Sequence, residues 1–248
     1  MTNGLVLQTV GLSKSFGGLN IFRGIDFGLR AGERHAIIGP NGAGKSSFVN
    51  LISGLLAPSS GTVRLMGRDI THATPQQRVH AGLGRTFQIN TLFPSLTPLE
   101  SMVLALCERE RITSPSLRSL ASRGSLLDEA GALLERFELA DQARRQTALL
   151  AYGEQRVLEM ALALAMKPRV LLLDEPAAGL TTAQGHGLFA QLSALAGDTS
   201  VLFIEHDMAL VFGYAQRVTV LGGGALLAQG TPDEIRLDPV VRKAYLGH

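Results

Sequence analysis

The stretch Gly39-Pro40-Asn41-Gly42-Ala43-Gly44-Lys45-Ser46-Ser47 restricts the fold of this chain more than any other. It fits the pattern GxxxxGK[ST] without a gap, and its flanks fit too. Arg34–Ile38 (RHAII) reads as a buried strand, and residues 47–53 (SFVNLIS) read as a helix ended by Gly54. Glycines let a backbone curl so that several N–H groups point inward, and the helix that follows adds its positive N-terminal end. In such a cradle Lys45 reaches the β- and γ-phosphates and the Ser46 hydroxyl takes one position on Mg²⁺. The bland alternative is an ordinary glycine-rich turn. The lysine, the hydroxyl and both flanking elements argue against it, and the chain is expected to bind a nucleoside triphosphate.

Composition narrows the class. The 248 residues suffice for one large α/β domain, or for a core carrying a smaller lobe. A net charge of +2, with no block of basic residues, gives no nucleic-acid footprint. A single cysteine, Cys107, allows no internal disulfide, which suits a reducing compartment. The N-terminus lacks a signal pattern, and the longest apolar run, around 157–166, is too short and too charged to span a bilayer. A soluble cytosolic protein is expected, with a greasy interior or a greasy face for a partner.

Along the chain, residues 5–12 read as an edge strand. Phe16 follows, as core packing or as a ring for a nucleobase to stack on. Residues 61–67 alternate as a half-solvated strand, and Gly84-Arg-Thr-Phe-Gln88 is a short extended run closed by a polar residue. Thr97-Pro98-Leu99-Glu100 starts a helix, with a hydroxyl cap, proline at the first position and a glutamate three after the cap. Leu99, Met102, Val103 and Leu106 share one face of it, beside Cys107. Residues 108–125 are Ser- and Arg-rich, a loop or a poorly held helix, before a second helix with Leu126, Ala130, Leu133, Leu134 and Phe137 on one face. Residues 91–157 thus read as helices inserted into an α/β pattern.

Two unbroken apolar runs follow, as expected of strands covered on both faces. Val170-Leu-Leu-Leu173 ends in Asp174-Glu175-Pro176, and Val201-Leu-Phe-Ile204 ends in Glu205-His206-Asp207. At the carboxyl edge of a parallel sheet Asp174 would hold Mg²⁺ through its water shell, and Glu175 would orient and polarise the attacking water. Alone, the two carboxylates could equally cap a helix. His206 is expected to differ from the other histidines because its strand should lie next to that of Asp174, aiming the ring at the γ-phosphate. Residues 150–156 (LAYGEQR) open a greasy helix whose N-terminal glycine is a second potential anion site. It cannot easily serve the chain's own phosphate loop, but two copies about a two-fold axis could serve each other.

With these parts in this order, the chain resembles the ATP-binding subunits of ABC transporters over essentially its full length. Phe16, the phosphate loop 39–47, Gln88, LAYGEQR, VLLLDEP and IEHD carry the likeness. GLGRTFQINTLFPSLTPLESM, DEPAAGL and QGTPDEI look most like the branched-chain amino-acid importer branch, nearer the longer of its two ATPase types. Other members of that branch import urea or aromatic acids. The resemblance implies an α/β P-loop NTPase fold: a RecA-like parallel-sheet core over 1–90 and 158–248, an antiparallel β portion, and a helical subdomain at 91–157. It implies ATP and Mg²⁺ as ligands, with Glu175, His206 and Gln88 catalytic and Ser46, Gln88 and Asp174 on the metal. Tyr152, Gly153 and Glu154 would face a nucleotide beside Phe16 and the phosphate loop. Ala151 stands where a serine would reach the γ-phosphate, and Thr181 where an aspartate is usual; Thr181 and Gln184 still cap the next helix.

The implied partners are membrane permease subunits on the inner face of the plasma membrane, and a second ATPase subunit, either another copy or a shorter paralogue. A substrate-binding protein takes part indirectly, and nucleic acid does not. Leu92 and Phe93, just after Gln88, form a satellite core or a docking surface for a permease helix. An ABC-type ATPase acting on DNA or ribosomes would usually carry coiled coils, zinc-binding cysteines or tandem cassettes. A P-loop GTPase switch would need a guanine-reading NKxD-type motif. The chain has none of these.

Overall fold

A computed structural model describes residues 4–86, 92–112 and 124–246. The chain divides into two units: Met1–Arg85 with Pro168–Pro176 and Ala196–His248, and Thr86–Lys167 with Ala177–Leu195. The sequence pattern had assigned everything after 157 to the α/β core. Instead, the helices Tyr152–Ala165 and Thr182–Leu195 belong to the second unit, because they pack on each other and Tyr152–Ala165 packs on helix Pro98–Arg109.

The first unit holds two sheets. Among the described residues its parallel sheet runs β10-β9-β3-β8-β7-β6, with β3 Arg34–Ile38, β6 Leu83–Arg85, β7 Val170–Asp174, β8 Ser200–Ile204, β9 Arg217–Gly222 and β10 Ala225–Gly230. Only the β9–β10 hairpin, turning at Gly223 and Gly224, is antiparallel. β7 and β8 are buried at every residue, as their unbroken apolar runs required.

The other sheet is antiparallel, ordered β2-β1-β4-β5, with β1 Leu5–Phe16, β2 Leu19–Arg30, β4 Ser60–Leu65 and β5 Arg68–Asp69. Residues 5–12 therefore lie in an interior strand, not at an edge: β2, which the sequence pattern did not reveal, pairs with one side of β1 and β4 with the other.

The helix α1, Lys45–Ser53, drives Phe48, Val49, Leu51 and Ile52 into the core between these elements. Phe48 meets Phe22 and Phe27 of β2 edge to face, with ring centroids 6.0 and 5.5 Å apart. Gly44 has φ 92°, and a Cβ there would stand 2.6 Å from the Phe22 ring, so only glycine lets the loop enter the helix at this point.

The far end of α1 is closed by a charge the sequence did not advertise. Arg78, on the short helix α2 (Pro75–His80), is 1 % exposed. Its guanidinium donates to the carbonyls of Leu51 (2.8 Å), Ile52 (2.5 Å), Thr71 (2.8 Å) and Ala73 (3.1 Å). The first two are helix-end carbonyls with no partner inside the helix. Arg78→Met keeps the stem but strips three buried acceptors and one part-buried acceptor of their donor. It should destabilise the protein by about 3 kcal/mol and lower Tm by roughly 6–12 °C; a Tm within 2 °C of wild type (roughly 1 kcal/mol or less) would show that water satisfies these carbonyls equally well.

The second unit packs α3 (Pro98–Arg109), α4 (Gly124–Arg136), α5 (Tyr152–Ala165) and α6 (Thr182–Leu195). Thr97 and Glu100 form the expected reciprocal cap. Met102, Val103, Leu106, Leu126, Ala130, Leu134 and Phe137 are buried, and Leu99 and Leu133 half-buried. Cys107 is buried as small-residue packing. Arg109 ties three helices together, gripping Glu129 at 2.9 and 2.7 Å and the Ala165 carbonyl at 3.1 Å. Most of the Ser/Arg-rich stretch 108–125 lies outside the described residues.

Candidate nucleotide site

Because β8 pairs in parallel with β3 on one side and β7 on the other, three chain segments leave the sheet at one edge. They are the phosphate loop after β3, Glu175 after β7 and Glu205-His206 after β8. The register sets Asp174 beside Ile204, and the His206 Nε2 lies 2.7 Å from a Glu175 carboxylate oxygen. The expected adjacency of these two strands is therefore present. Glu175 itself sits at φ 51°, a left-handed conformation that costs a non-glycine residue about 1–3 kcal/mol, and its N–H donates to the Ile204 carbonyl at 3.0 Å. The chain accepts strain to turn this carboxylate toward the loop.

An open cleft of about 320 Å³ results, lined by Asn41, Gly42, Gly44, Lys45, Ser46, Ser47, Glu175 and His206, with Ile21 from β2. Pro40 is exposed at the crest of the loop and Ala43 is buried beneath it. A Cβ on Gly39 would collide with the Leu221 carbonyl, so the loop hugs β9. Lys45 is nearly buried, and its ammonium donates to the carbonyls of Gly39 (2.8 Å) and Pro40 (3.2 Å). Burial pushes its pKa down, against the pull of Glu175 and Asp174. A bound anion would relieve exactly that strain on the charged form.

Asp174 is 3 % exposed, and burial raises its pKa, with the Glu175 charge adding to the effect. Arg85 offsets most, followed by the Ser46 hydroxyl and Lys45. Its Oδ1 is buried without a hydrogen-bond partner. Phe16 is 53 % exposed at the end of β1, with the Lys14 ammonium 4.7 Å over its ring. Core packing is thereby excluded for this ring, which leaves an open face. Gln88 lies outside the described residues.

Tyr152, Gly153 and Glu154 belong to the helical unit, where they open α5. The Tyr152 hydroxyl donates to the Ala178 carbonyl at 3.0 Å and accepts from Arg156 Nε at 3.0 Å. Its ring backs onto Gly179, whose φ of 79° and absent Cβ make the room. Glu154 reaches back to the Ala151 N–H at 2.8 Å and takes a bond from Gln142 at 3.0 Å. Both side chains of this stretch are thus engaged in fixing the helix start. Ala151 already has the extended cap conformation, φ −61° and ψ 151°, but no oxygen to return the bond. Ala151→Ser should complete a capping box and stabilise the fold by about 1 kcal/mol, read by urea denaturation. An unchanged midpoint would mean that the hydroxyl prefers another partner. Thr181 and Gln184 cap α6 reciprocally, as expected, at 3.0 and 3.3 Å.

Sequence reasoning missed Ile21 in the cleft wall and Arg85 beside Asp174. Neither carries a local signal: one lies in an unrecognised strand, and the other sits in a short extended run with nothing beside it in sequence to mark a partner.

The ABC transporter family model matches residues 22–178, and a model for the branched-chain amino acid ATP-binding cassette transporter matches residues 225–248. The high-affinity branched-chain amino acid transport ATP-binding protein LivG of Salmonella typhimurium is 39 % identical over 98 % of both chains. The BraF protein of Pseudomonas aeruginosa, of the same description, is 37 % identical over 98 % of both. A solved ATP-binding cassette of an ABC transporter, in its ADP conformation, superposes with a TM-score of 0.84 at 29 % identity, covering 98 % of this chain and 99 % of that one. The chain belongs to the ABC transporter family, as an ATP-binding cassette. It is an ATP-hydrolysing subunit that energises transport, with membrane permeases as the partners such a subunit implies. Among the described residues no helix is long and apolar enough to cross a membrane.

Proposed function

We propose that this chain hydrolyses Mg·ATP as one of two ATPase subunits that close on two nucleotides, driving import of branched-chain amino acids or related small solutes. The observation that carries the chemistry is the convergence of Lys45, Glu175 and His206 on one cleft. The match of 225–248, together with the relatives' descriptions, supports the solute class.

The oxygens available for a cation fit Mg²⁺: the Ser46 hydroxyl and the buried Oδ1 of Asp174 that has no hydrogen bond. Among the described residues no cluster of three or more His, Cys, Asp or Glu is placed to cage a metal. That suits Mg²⁺, which takes one or two protein ligands and completes its shell with phosphates and water. When bound it supplies charge neutralisation across the β- and γ-phosphates.

The N–H groups of the loop and the Lys45 ammonium hold the triphosphate, and Phe16 offers its open face to the base. Glu175 orients a water against the γ-phosphorus and receives its proton as the new P–O bond forms. The bond to the β–γ bridging oxygen breaks, and ADP and phosphate leave. His206, through its Nε2, fixes the carboxylate's direction. Gly153 and the α5 N-terminus of one subunit would face the other's nucleotide. Ala151→Ser should then also lower the ATP concentration needed to dimerise.

The coupling surface is proposed at Phe93, which is 64 % exposed, with Leu92 half-buried beside it. So exposed a ring contributes little to a satellite core. The test is co-purification with the permeases on the inner face of the plasma membrane. Phe93→Ala should keep ATPase activity of the isolated subunit and lose the permease complex. If Phe93→Ala co-purifies normally, docking lies elsewhere. If the wild-type complex transports only unrelated solutes, the substrate assignment fails.

A further inference from the structure

The parts of the candidate metal site lie on different elements: Ser46 on the first turn of α1, and Asp174 at the end of β7. Something must set their separation. Arg85 closes β6, which pairs in parallel with β7 so that Arg85 stands beside Leu172. Its side chain is only 10 % exposed. One terminal nitrogen donates to the Asn50 side-chain carbonyl at 2.7 Å and to the Ser53 hydroxyl at 2.7 Å, both on α1. The other lies 3.5 Å from Oδ2 of Asp174, an ion pair longer than a hydrogen bond. The guanidinium thus spans from the phosphate-loop helix to the acidic strand. It occupies one oxygen of Asp174 and leaves Oδ1 bare.

We propose that Arg85 is a positioning residue for the magnesium site: its fork braces α1 against β7 and turns Oδ1 of Asp174 toward the cation. A planar fork with fixed donor directions does this; a lysine, as a point charge on a flexible stem, keeps the charge but cannot hold both sides. Asn50 and Ser53 anchor the α1 end of the brace, and their position within one turn of each other on the helix matches the span of one guanidinium nitrogen. The inference rests on the reading that Ser46 and Asp174 hold Mg²⁺, and deepens it.

Partners that orient a metal ligand are typically worth 10–100-fold in metal affinity. Arg85→Met should therefore raise the Mg²⁺ concentration for half-maximal ATPase by about 10–100-fold. Most of kcat should return at saturating Mg²⁺. Calorimetry should show ATP binding in EDTA unchanged, with the gain in affinity on adding Mg²⁺ reduced by a similar factor. Arg85→Lys should lie between wild type and Arg85→Met, and Asn50→Ala should shift the same way by less; these two keep the test alive if Arg85→Met does not fold. Unchanged Mg²⁺ dependence in the Arg85 variants would overturn the proposal, as would an equal loss of ATP binding with and without Mg²⁺. Asp174→Asn separates the two readings. If it shifts Mg²⁺ dependence and the Arg85 variants do not, only the brace fails. If Asp174→Asn also leaves it unmoved, the metal site itself is misplaced.

Discussion

Glu175→Gln should bind ATP as tightly as the wild type and almost cease to turn over. The amide keeps the shape and one acceptor oxygen, and so the approach of water. It cannot take the water's proton, and loss of a general base typically costs on the order of 10²–10⁴-fold. The contact with His206 at 2.7 Å places the same oxygen in a fixed direction, so substitution removes the base without emptying the cleft. ATP-bound dimers, no longer resolved by hydrolysis, should accumulate and elute early in size-exclusion chromatography. Phosphate release at the wild-type rate would remove Glu175 from the chemistry and leave its strained backbone at φ 51° without a purpose.

Lys45→Ala should weaken ATP far more than AMP. The ammonium contributes to a polyphosphate by charge, and AMP has no β- or γ-phosphate to meet it. Lys45 now rests on the carbonyls of Gly39 and Pro40, so removing it also lets the loop relax. Charge-assisted hydrogen bonds are worth about 1.5–3 kcal/mol, which corresponds to roughly 10–150-fold in ATP affinity per bond lost. Isothermal calorimetry with both nucleotides gives the ratio directly. Equal weakening of ATP and AMP would assign Lys45 to holding the loop's shape, and unchanged ATP affinity would refute the phosphate cradle.

The site was legible where its chemistry is local. A glycine-rich loop with its lysine and hydroxyl dictates strand, turn and helix within one stretch, and Gly54 ends α1 with φ 82° as its position suggested. The runs before Asp174 and His206 announced strands buried on both faces, and the two pair side by side. β2 was hidden because Gly24, Asp26 and Gly28 interrupt it and its pairing with β1 shifts register several times. Phe22, Ile25, Phe27 and Leu29 are all buried, but the alternation breaks at Gly24. Nothing in the local pattern around Arg78 or Arg85 marks either as buried. They are buried because helix-end carbonyls and a carboxylate need donors, a demand visible only once distant segments meet. The helical unit was underestimated for a similar reason: α5 and α6 follow the alternation of an α/β core in sequence, while their buried faces serve the other helices.

The central claim is that hydrolysis in this cleft powers uptake, and vesicles carrying the whole transport complex test it most directly. Solute accumulation and phosphate release are followed together, with Mg·ATP supplied only on the side bearing this subunit. Wild-type complexes should accumulate a branched-chain amino acid over many turnovers, in proportion to phosphate released. Complexes with Glu175→Gln should bind ATP and stop after at most one round. Sustained uptake by the Glu175→Gln complex, or uptake by wild type without ATP, would contradict the account.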